Sequence, residues 1–412
     1  MYKYRAPLML FFVLAVAFAM SAGSPAARAQ TFSVIHTFTG TAIDGRYPGF
    51  GVTLRGGNLY GTTNGNGYGD GTVFQMTRQG DNWVLVPLYI FSGPDGSGPY
   101  ARVVFGPDGH LYGTAGGGTL QNGVVFQLTP PLSICKTAGC YWKETVLHNF
   151  ASGDDGADPG YGDLIFDSDG NIYGVTSFGA AQGTVFQLQQ SGNTWTENIL
   201  YSFGFPPDGG EPFGGLIFDQ NGNLWGTTAV GGNFVQYGTV FELMKVGAGW
   251  QELFPYSFRG ANDGAYPIAG LISDSSGNFY GTTSAGGSAG GGTVFELTPS
   301  GNGWTLYILY SFSGNNGGPF GPLTMDAAGN LYGITGGDGA YALGNVFKLT
   351  HTGNSWVYTS LHDFTGGADG EYPLGNVTID TDGTLYGTAA AGGSVQGNCA
   401  PVGCGTVWMI KP

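Results

Sequence analysis

The 412-residue sequence is poor in charge. Only 10% of its residues are charged, with 13 Lys and Arg against 28 Asp and Glu, for a formal net charge of −15. A surface so short of cations repels polyanions, which argues against nucleic acid as a partner. Histidine is scarce at five residues, and three of them (His36, His148, His362) share one repeat position that Tyr89, Tyr201, Tyr256 and Tyr310 occupy elsewhere. A position that accepts either ring reads as packing rather than histidine chemistry. After the first thirty residues no apolar run has membrane-spanning length, so no membrane span is expected. Helix signals are also missing, which disposes of the G-x-S-x-G match around Ser288, because a nucleophile elbow needs a strand before it and a helix after it. No phosphate loop, zinc-ligand cluster or credible catalytic triad is present.

What the chain does have begins with a targeting signal. Lys3 and Arg5 precede an uncharged, mostly apolar run over residues 8–20, and Ala27, Arg28 and Ala29 form a small-x-small cleavage site. Residues 1–29 are therefore read as a signal peptide and residues 30–412 as one domain. Loss of Lys3, Arg5 and Arg28 takes the charge from 13 − 28 = −15 to 10 − 28 = −18. The expected location is secreted or periplasmic, and a chain that stops at "GTVWMIKP" suggests release rather than anchoring.

Glycine is abundant, at 79 residues, and aromatics reach 14%. The two alternate in short runs that recur along the chain. With the aromatic of the "LYGTT" element as a marker, copies fall at Tyr60, Tyr112, Tyr173, Trp225, Tyr280, Tyr332 and Tyr386, 52 to 61 residues apart. That period suits a four-stranded propeller blade. In the fourth unit "GGLIFD" reads as inner strand a, "NLWGTT" as b, "GTVFEL" as c and "WQELFPYSF" as outer strand d. A single such sheet cannot bury both faces, whereas seven stacked around an axis can. The expected fold is an all-β, seven-bladed β-propeller with four antiparallel strands per blade.

The last unit ends after strand c. The missing strand is supplied by "QTFSVIHTF" after the cleavage site, which aligns with "WVYTSLHDF" of the sixth unit, so the N-terminal strand completes the last blade. The step from the b-strand aromatic to the c-strand aromatic ranges from 13 to 22 residues, so the b–c loops vary. They share a face with the d–a loops, and that face is where a specific site is sought first.

The repeated core D-x-x-G-N-L-Y-G-T-T…G-T-V-F-x-L-T resembles the GloVer-type tandem repeat of bacterial exported proteins across residues 30–412. The resemblance implies the fold and export, and carries no common activity. The "GPDGHLY" turn is similar, more weakly, to turns of streptogramin-lyase-like propellers, but the histidine, acid and metal pattern of those enzymes is not matched.

Three sets of residues are candidates for function. An Asp-Gly pair recurs in the d–a loops at Asp44, Asp95, Asp155, Asp208, Asp263 and Asp369. Read functionally, these form a ring of carboxylates at the channel mouth able to hold Ca²⁺ or a cationic ligand, and read structurally they are turns the fold repeats. No other cofactor or metal is expected. Next to a recurring proline stand Tyr47, Tyr100, Tyr161, Phe213, Tyr266, Phe320 and Tyr372, as stacking platforms for sugar rings or as wedges between blades. "DSDGN" and "DTDGT" resemble fragments of a calcium loop but sit in short a–b turns. Finally, Cys135 with Cys140, and Cys399 with Cys404, are expected to form two local disulfides in an oxidising compartment, the second pair stapling a long b–c loop.

The reading is of an exported monomer that binds an extracellular carbohydrate or protein. The competing reading is a lyase or hydrolase using carboxylates such as Asp155, Asp208 or Asp263 with a metal. Export is expected to leave Gln30 as the first residue, and intact-mass analysis of the exported protein checks this, a retained Met1 being the contrary result.

Overall fold

Each repeat folds on a small set of local bonds. In "DQNGNLWGTT" the Asp219 carboxylate accepts hydrogen bonds from the backbone N–H of Asn221 (2.8 Å) and Asn223 (2.9 Å) and from the Asn223 side chain (2.9 Å), which closes the a–b turn. Gly222 at φ +83° supplies the left-handed residue this turn requires. Asp167, Asp274 and Asp326 repeat the arrangement. Farther along strand b, a Cβ on Gly226 would lie 2.6 Å from the tip of Phe241, so glycine here lets the c-strand ring cross strand b. Thr228 and Thr239 then pair their buried hydroxyls at 2.8 Å across strands b and c.

The computed structural model describes residues 30–412 apart from 66–68, 132–140, 160, 193, 235, 248, 302, 314–316 and 354. Seven four-stranded antiparallel sheets follow one another around an axis, each in the order a-b-c-d. In blade 1 the strands are Val52–Arg55, Asn58–Thr63, Thr72–Gln79 and Asn82–Ile90. No α-helix occurs among the described residues, and none of their segments is a helix long and apolar enough to cross a membrane. The core lies between blades rather than within them. Tyr60, Val73 and Phe91 of blade 1, for example, pack with Leu111, Phe126 and Leu128 of blade 2.

Strand a is shorter than the sequence suggests. Where "GGLIFD" reads as a full strand, only Ile217–Phe218 pairs with strand b, and a four-residue inner strand forms only in blade 1. The cause is crowding at the axis. A Cβ on Gly214 would lie 2.5 Å from the backbone of Ala269 in the next blade, so this stretch packs against its neighbour instead of pairing within its own sheet.

The d–a and b–c loops do share a face. Gly209–Gly210 pairs with Val230–Gly231, and single bridges such as Arg46 with Gly65 and Ala265 with Ala285 do the same in other blades. The recurring proline wedges between blades there: Pro267 Cδ lies 2.6 Å from where a Cβ on Gly238 would be, so the glycine opening strand c leaves room for the ring.

Closure is supplied by Thr31–Thr37, which pairs antiparallel with Thr406–Lys411 in the register Phe32 to Ile410 and Val34 to Trp408. Phe32 stacks on His362 of blade 6 at 3.5 Å, and Phe38 is fully buried beside Val407, Cys399 and Cys404. The Cys399–Cys404 disulfide is formed, and both cysteines are buried. Asn398 of the same loop donates its side-chain N–H to Gly40 O at 3.1 Å. The bridge thus holds its long loop against the closing segment. Residues 1–29, Cys135 and Cys140 lie outside the described residues.

A chain beginning at Thr41 loses Phe32, Phe38 and the pairing of strand c in blade 7. Burial of one large aromatic is worth about 3–5 kcal/mol, so its Tm is expected to fall by at least about 4 °C. Thermal unfolding by circular dichroism reads this, and an unchanged Tm would refute the closure argument.

Candidate functional site

The Asp-Gly aspartates lie under the outer strands, and none of them lines the central channel. Asp44 accepts from His36 Nε2 (2.8 Å) and from the Thr39 backbone N–H (2.6 Å). Asp95 accepts from the Tyr89 hydroxyl (2.5 Å) and Ser92 N–H (2.9 Å), and Asp263 from the Tyr256 hydroxyl (2.8 Å) and Arg259 N–H (3.2 Å). Asp208 receives Tyr201 and Gly204, Asp155 receives His148 and Ala151, and Asp369 receives His362 and Thr365. Histidine and tyrosine are interchangeable at this position because each offers one donor to the same carboxylate. Burial pushes Asp44, Asp155 and Asp369 up, but the hydrogen bonds they accept more than offset it and hold all three below the usual carboxylate range. Among the histidines outside this set, His110 sits in an a–b turn beside Asp108, and His351 lies in strand c against Trp356.

The aromatics beside the prolines fall into two classes, according to whether they precede or follow the proline. Tyr47, Tyr266 and Tyr372 precede the proline and adopt φ of +59°, +56° and +54°. Their N–H groups reach the preceding blade: Tyr47 donates to Cys404 O, Tyr266 to Tyr237 O and Tyr372 to Leu343 O. Tyr100, Tyr161, Phe213 and Phe320 follow the proline and line the channel.

With Phe50, three of these make a continuous arc across blades 1 to 4. Ring centroids are 5.8 Å apart for Phe50 and Tyr100, 5.1 Å for Tyr100 and Tyr161, and 5.6 Å for Tyr161 and Phe213, and Phe50 also lies 6.0 Å from Tyr161, so the first three rings of the arc are mutually in contact. Ile268 and Leu374 take the equivalent places on the far side. The channel encloses about 970 Å³. Two residues after each mouth residue stand Val52, Arg102, Asp163, Gly215, Gly270, Pro322 and Asn376. Arg102 Nε donates to Asp163 Oδ2 at 2.9 Å, Nη2 donates to the same oxygen, and Nη1 reaches Val52 O at 3.5 Å. This is the one ion pair of an arginine or lysine with a carboxylate among the described residues. Asn376 is 7% exposed and its Oδ1 has no hydrogen-bond partner among the described residues. At this level the floor is thus polar at blades 7, 2 and 3, with Val52 at blade 1, and has Gly215, Gly270 and Pro322 at blades 4, 5 and 6.

A second departure from symmetry lies on the outer strands. Four residues before the Tyr or His of strand d, blades 2, 3 and 4 carry Glu144, Glu197 and Glu252, where the other blades have Leu85, Leu306, Tyr358 and Phe32. Each glutamate faces the Asp-Gly aspartate of the preceding blade, and each has a buried Oε1 with no hydrogen-bond partner among the described residues. Burial, with the neighbouring Asp95, pushes Glu144 up to about 7. Burial, with Asp155 and Asp208 respectively, pushes Glu197 and Glu252 up to about 9. The signal was in the sequence as a glutamate recurring in three consecutive units, but its meaning needed the neighbouring blade.

The profile of the Gloeobacter/Verrucomicrobia repeat matches residues 24–181, 135–261 and 161–400. The chain belongs to that repeat family. No curated protein matches it. Among solved structures it is similar to a putative 6-phosphogluconolactonase from Bacteroides uniformis, at 13% identity and TM-score 0.50, over 88% of this chain and 90% of the other. It is also similar to an ulvan lyase of a polysaccharide lyase family, at 13% identity and TM-score 0.49, over 80% of this chain and 86% of the other. At such identity the first likeness shows the propeller fold alone.

The raised Glu252 carries a pH dependence. A folded-state pKa of about 9 against an ordinary 4.5 means that the folded protein keeps a proton the unfolded chain releases. Stability from this group is therefore fully present below pH 4.5 and lost as pH climbs toward 9. Glu252→Gln removes that loss, so its Tm should exceed the parent's by a margin that grows across this window. Parallel Tm curves from pH 5 to pH 9 would contradict the assignment.

Proposed function

We propose that the protein is an exported binding module that takes a carbohydrate at the channel mouth of the loop face. The observation that carries this is the arc of Phe50, Tyr100, Tyr161 and Phe213 above the Arg102–Asp163 pair. Aromatic faces are electron-rich, and the C–H faces of a pyranose are complementary to them. The guanidinium has five N–H donors, of which three are engaged with Asp163 and Val52, so donors remain for sugar hydroxyls. The cavity falls at the upper end of the size range of small-molecule sites. The signal-like N-terminus and the Cys399–Cys404 bridge support an oxidising, extracytoplasmic setting.

A protein partner is the second reading, favoured by Phe205 and Tyr341, which are 70% and 60% exposed on loops of the same face. The two readings separate by mutation. A glycan array with the mature protein finds the ligand, and calorimetry measures affinity. Tyr161→Ala is expected to weaken carbohydrate binding about tenfold, or ~1.4 kcal/mol. The Tm should be nearly unchanged, since Tyr161 is 44% exposed. Full affinity in both Tyr161→Ala and Phe213→Ala would rule out the channel mouth.

A further inference from the structure

In six of the seven blades the d-strand Tyr or His and the Asp-Gly aspartate lie against the d strand of the next blade, blade 5 having no Asp-Gly aspartate. Three junctions add a glutamate there (Glu144, Glu197, Glu252), and three blades offer a histidine (His36, His148, His362). Histidine and glutamate meet only where blade 2 meets blade 3, among His148, Asp155 and Glu197. At the flanking junctions Tyr89 and Tyr201 stand in for the imidazole, and opposite His36 and His362 the glutamate is replaced by Leu85 and Phe32.

We propose that His148, Asp155 and Glu197 form a divalent transition-metal site that joins blades 2 and 3. One donor atom from each residue lies within 4.8 Å of the others. His148 Nε2 is 3.1 Å from Asp155 Oδ1 and 3.6 Å from Glu197 Oε2. Ligands about 2.0–2.2 Å from a common ion stand about 3.0–3.5 Å apart, so both distances from His148 are already close to those of a shared ion. Asp155 Oδ2 is held by the Ala151 N–H, which leaves Oδ1 as the donor facing His148.

Glu197 shares a buried, unpaired Oε1 with Glu144 and Glu252, and it alone of the three stands beside a histidine. The Glu197 side chain is 9% exposed, and its Oε1 has no hydrogen-bond partner among the described residues. A buried carboxylate oxygen without a donor is costly unless a proton or a positive ion meets it. One imidazole and two carboxylates suit Zn²⁺ or a neighbouring first-row ion, whereas Ca²⁺ takes oxygen ligands. His148 and Asp155 are about a fifth exposed, which gives the ion an entry path and leaves room for water in the remaining positions.

The test uses chelator-treated mature protein titrated with Zn²⁺, read by calorimetry and by Tm. The expected result is one ion per chain and a rise in Tm at saturation. His148→Tyr installs the residue that four other blades carry at this position, so it should fold, and it is expected to weaken binding at least 100-fold, as is Glu197→Gln. Tyr201→His should create a second set with Asp208 and Glu252 and raise the stoichiometry to two. The double variant His36→Tyr with His362→Tyr should leave it at one. The proposal is overturned if the parent takes up no Zn²⁺ at 1 mM, if His148→Tyr or Glu197→Gln binds like the parent, or if the double variant abolishes binding.

Discussion

Ring closure is the constraint on which the rest depends. Each blade is a twisted sheet whose two faces are covered only by its neighbours, so the structure has no stable open form with exposed edges. The strand Thr31–Thr37 completes blade 7 by pairing with Thr406–Lys411 and brings Phe38 into a core it shares with the Cys399–Cys404 bridge and blade 1. The bridge sits where a long loop would otherwise fray against the seam. With the ring closed at seven blades, the channel radius is set, and with it the spacing of the mouth residues that form the aromatic arc.

The repeat achieves this with a few local devices used again and again. In most blades an aspartate caps the a–b turn, a glycine admits the c-strand ring, a threonine pair ties b to c, and an aspartate after strand d accepts from the strand's Tyr or His. Because these positions maintain the scaffold, they cannot distinguish one side of the ring from another. Specificity has to come from positions where a substitution leaves the scaffold intact. The place below each mouth residue is one of these, since Arg102, Asp163, Gly215, Pro322 and Asn376 all satisfy the same backbone. The place four residues before the d-strand ring is another.

The features legible in the sequence were those written locally or at the termini. The period, the turn chemistry and the closing strand follow from spacing alone. The short inner strand was not legible, because its cause is the approach of two backbones such as Gly214 and Ala269, 55 residues apart. The direction of the Asp-Gly carboxylates depends on a ring seven residues earlier in most blades, so the sequence left both a channel ring and a turn open. The aromatics beside the prolines looked like one position, yet Tyr266 before its proline and Tyr161 after it point to different surroundings. Arg102 and Asp163 are 61 residues apart, and their pairing appears only when the repeats are aligned on the proline and then curled into a ring.

The departures from symmetry are not scattered. The aromatic arc runs from blade 1 to blade 4, the Arg102–Asp163 pair joins blades 2 and 3, and the glutamates occupy the junctions of blades 1 with 2, 2 with 3, and 3 with 4. Leucine or an aromatic at those glutamate positions, as in the other blades, would pack without a desolvated carboxylate, so each glutamate costs stability where the repeat itself shows a cheaper choice. A symmetric scaffold gives up stability in one sector only if that sector does something the others do not. Blades 1 to 4 thus carry both features, with the aromatic arc facing the channel and the charged junctions behind it. Blades 5 and 6 have Leu306 and Tyr358 at the glutamate position, and blade 7 carries the closure.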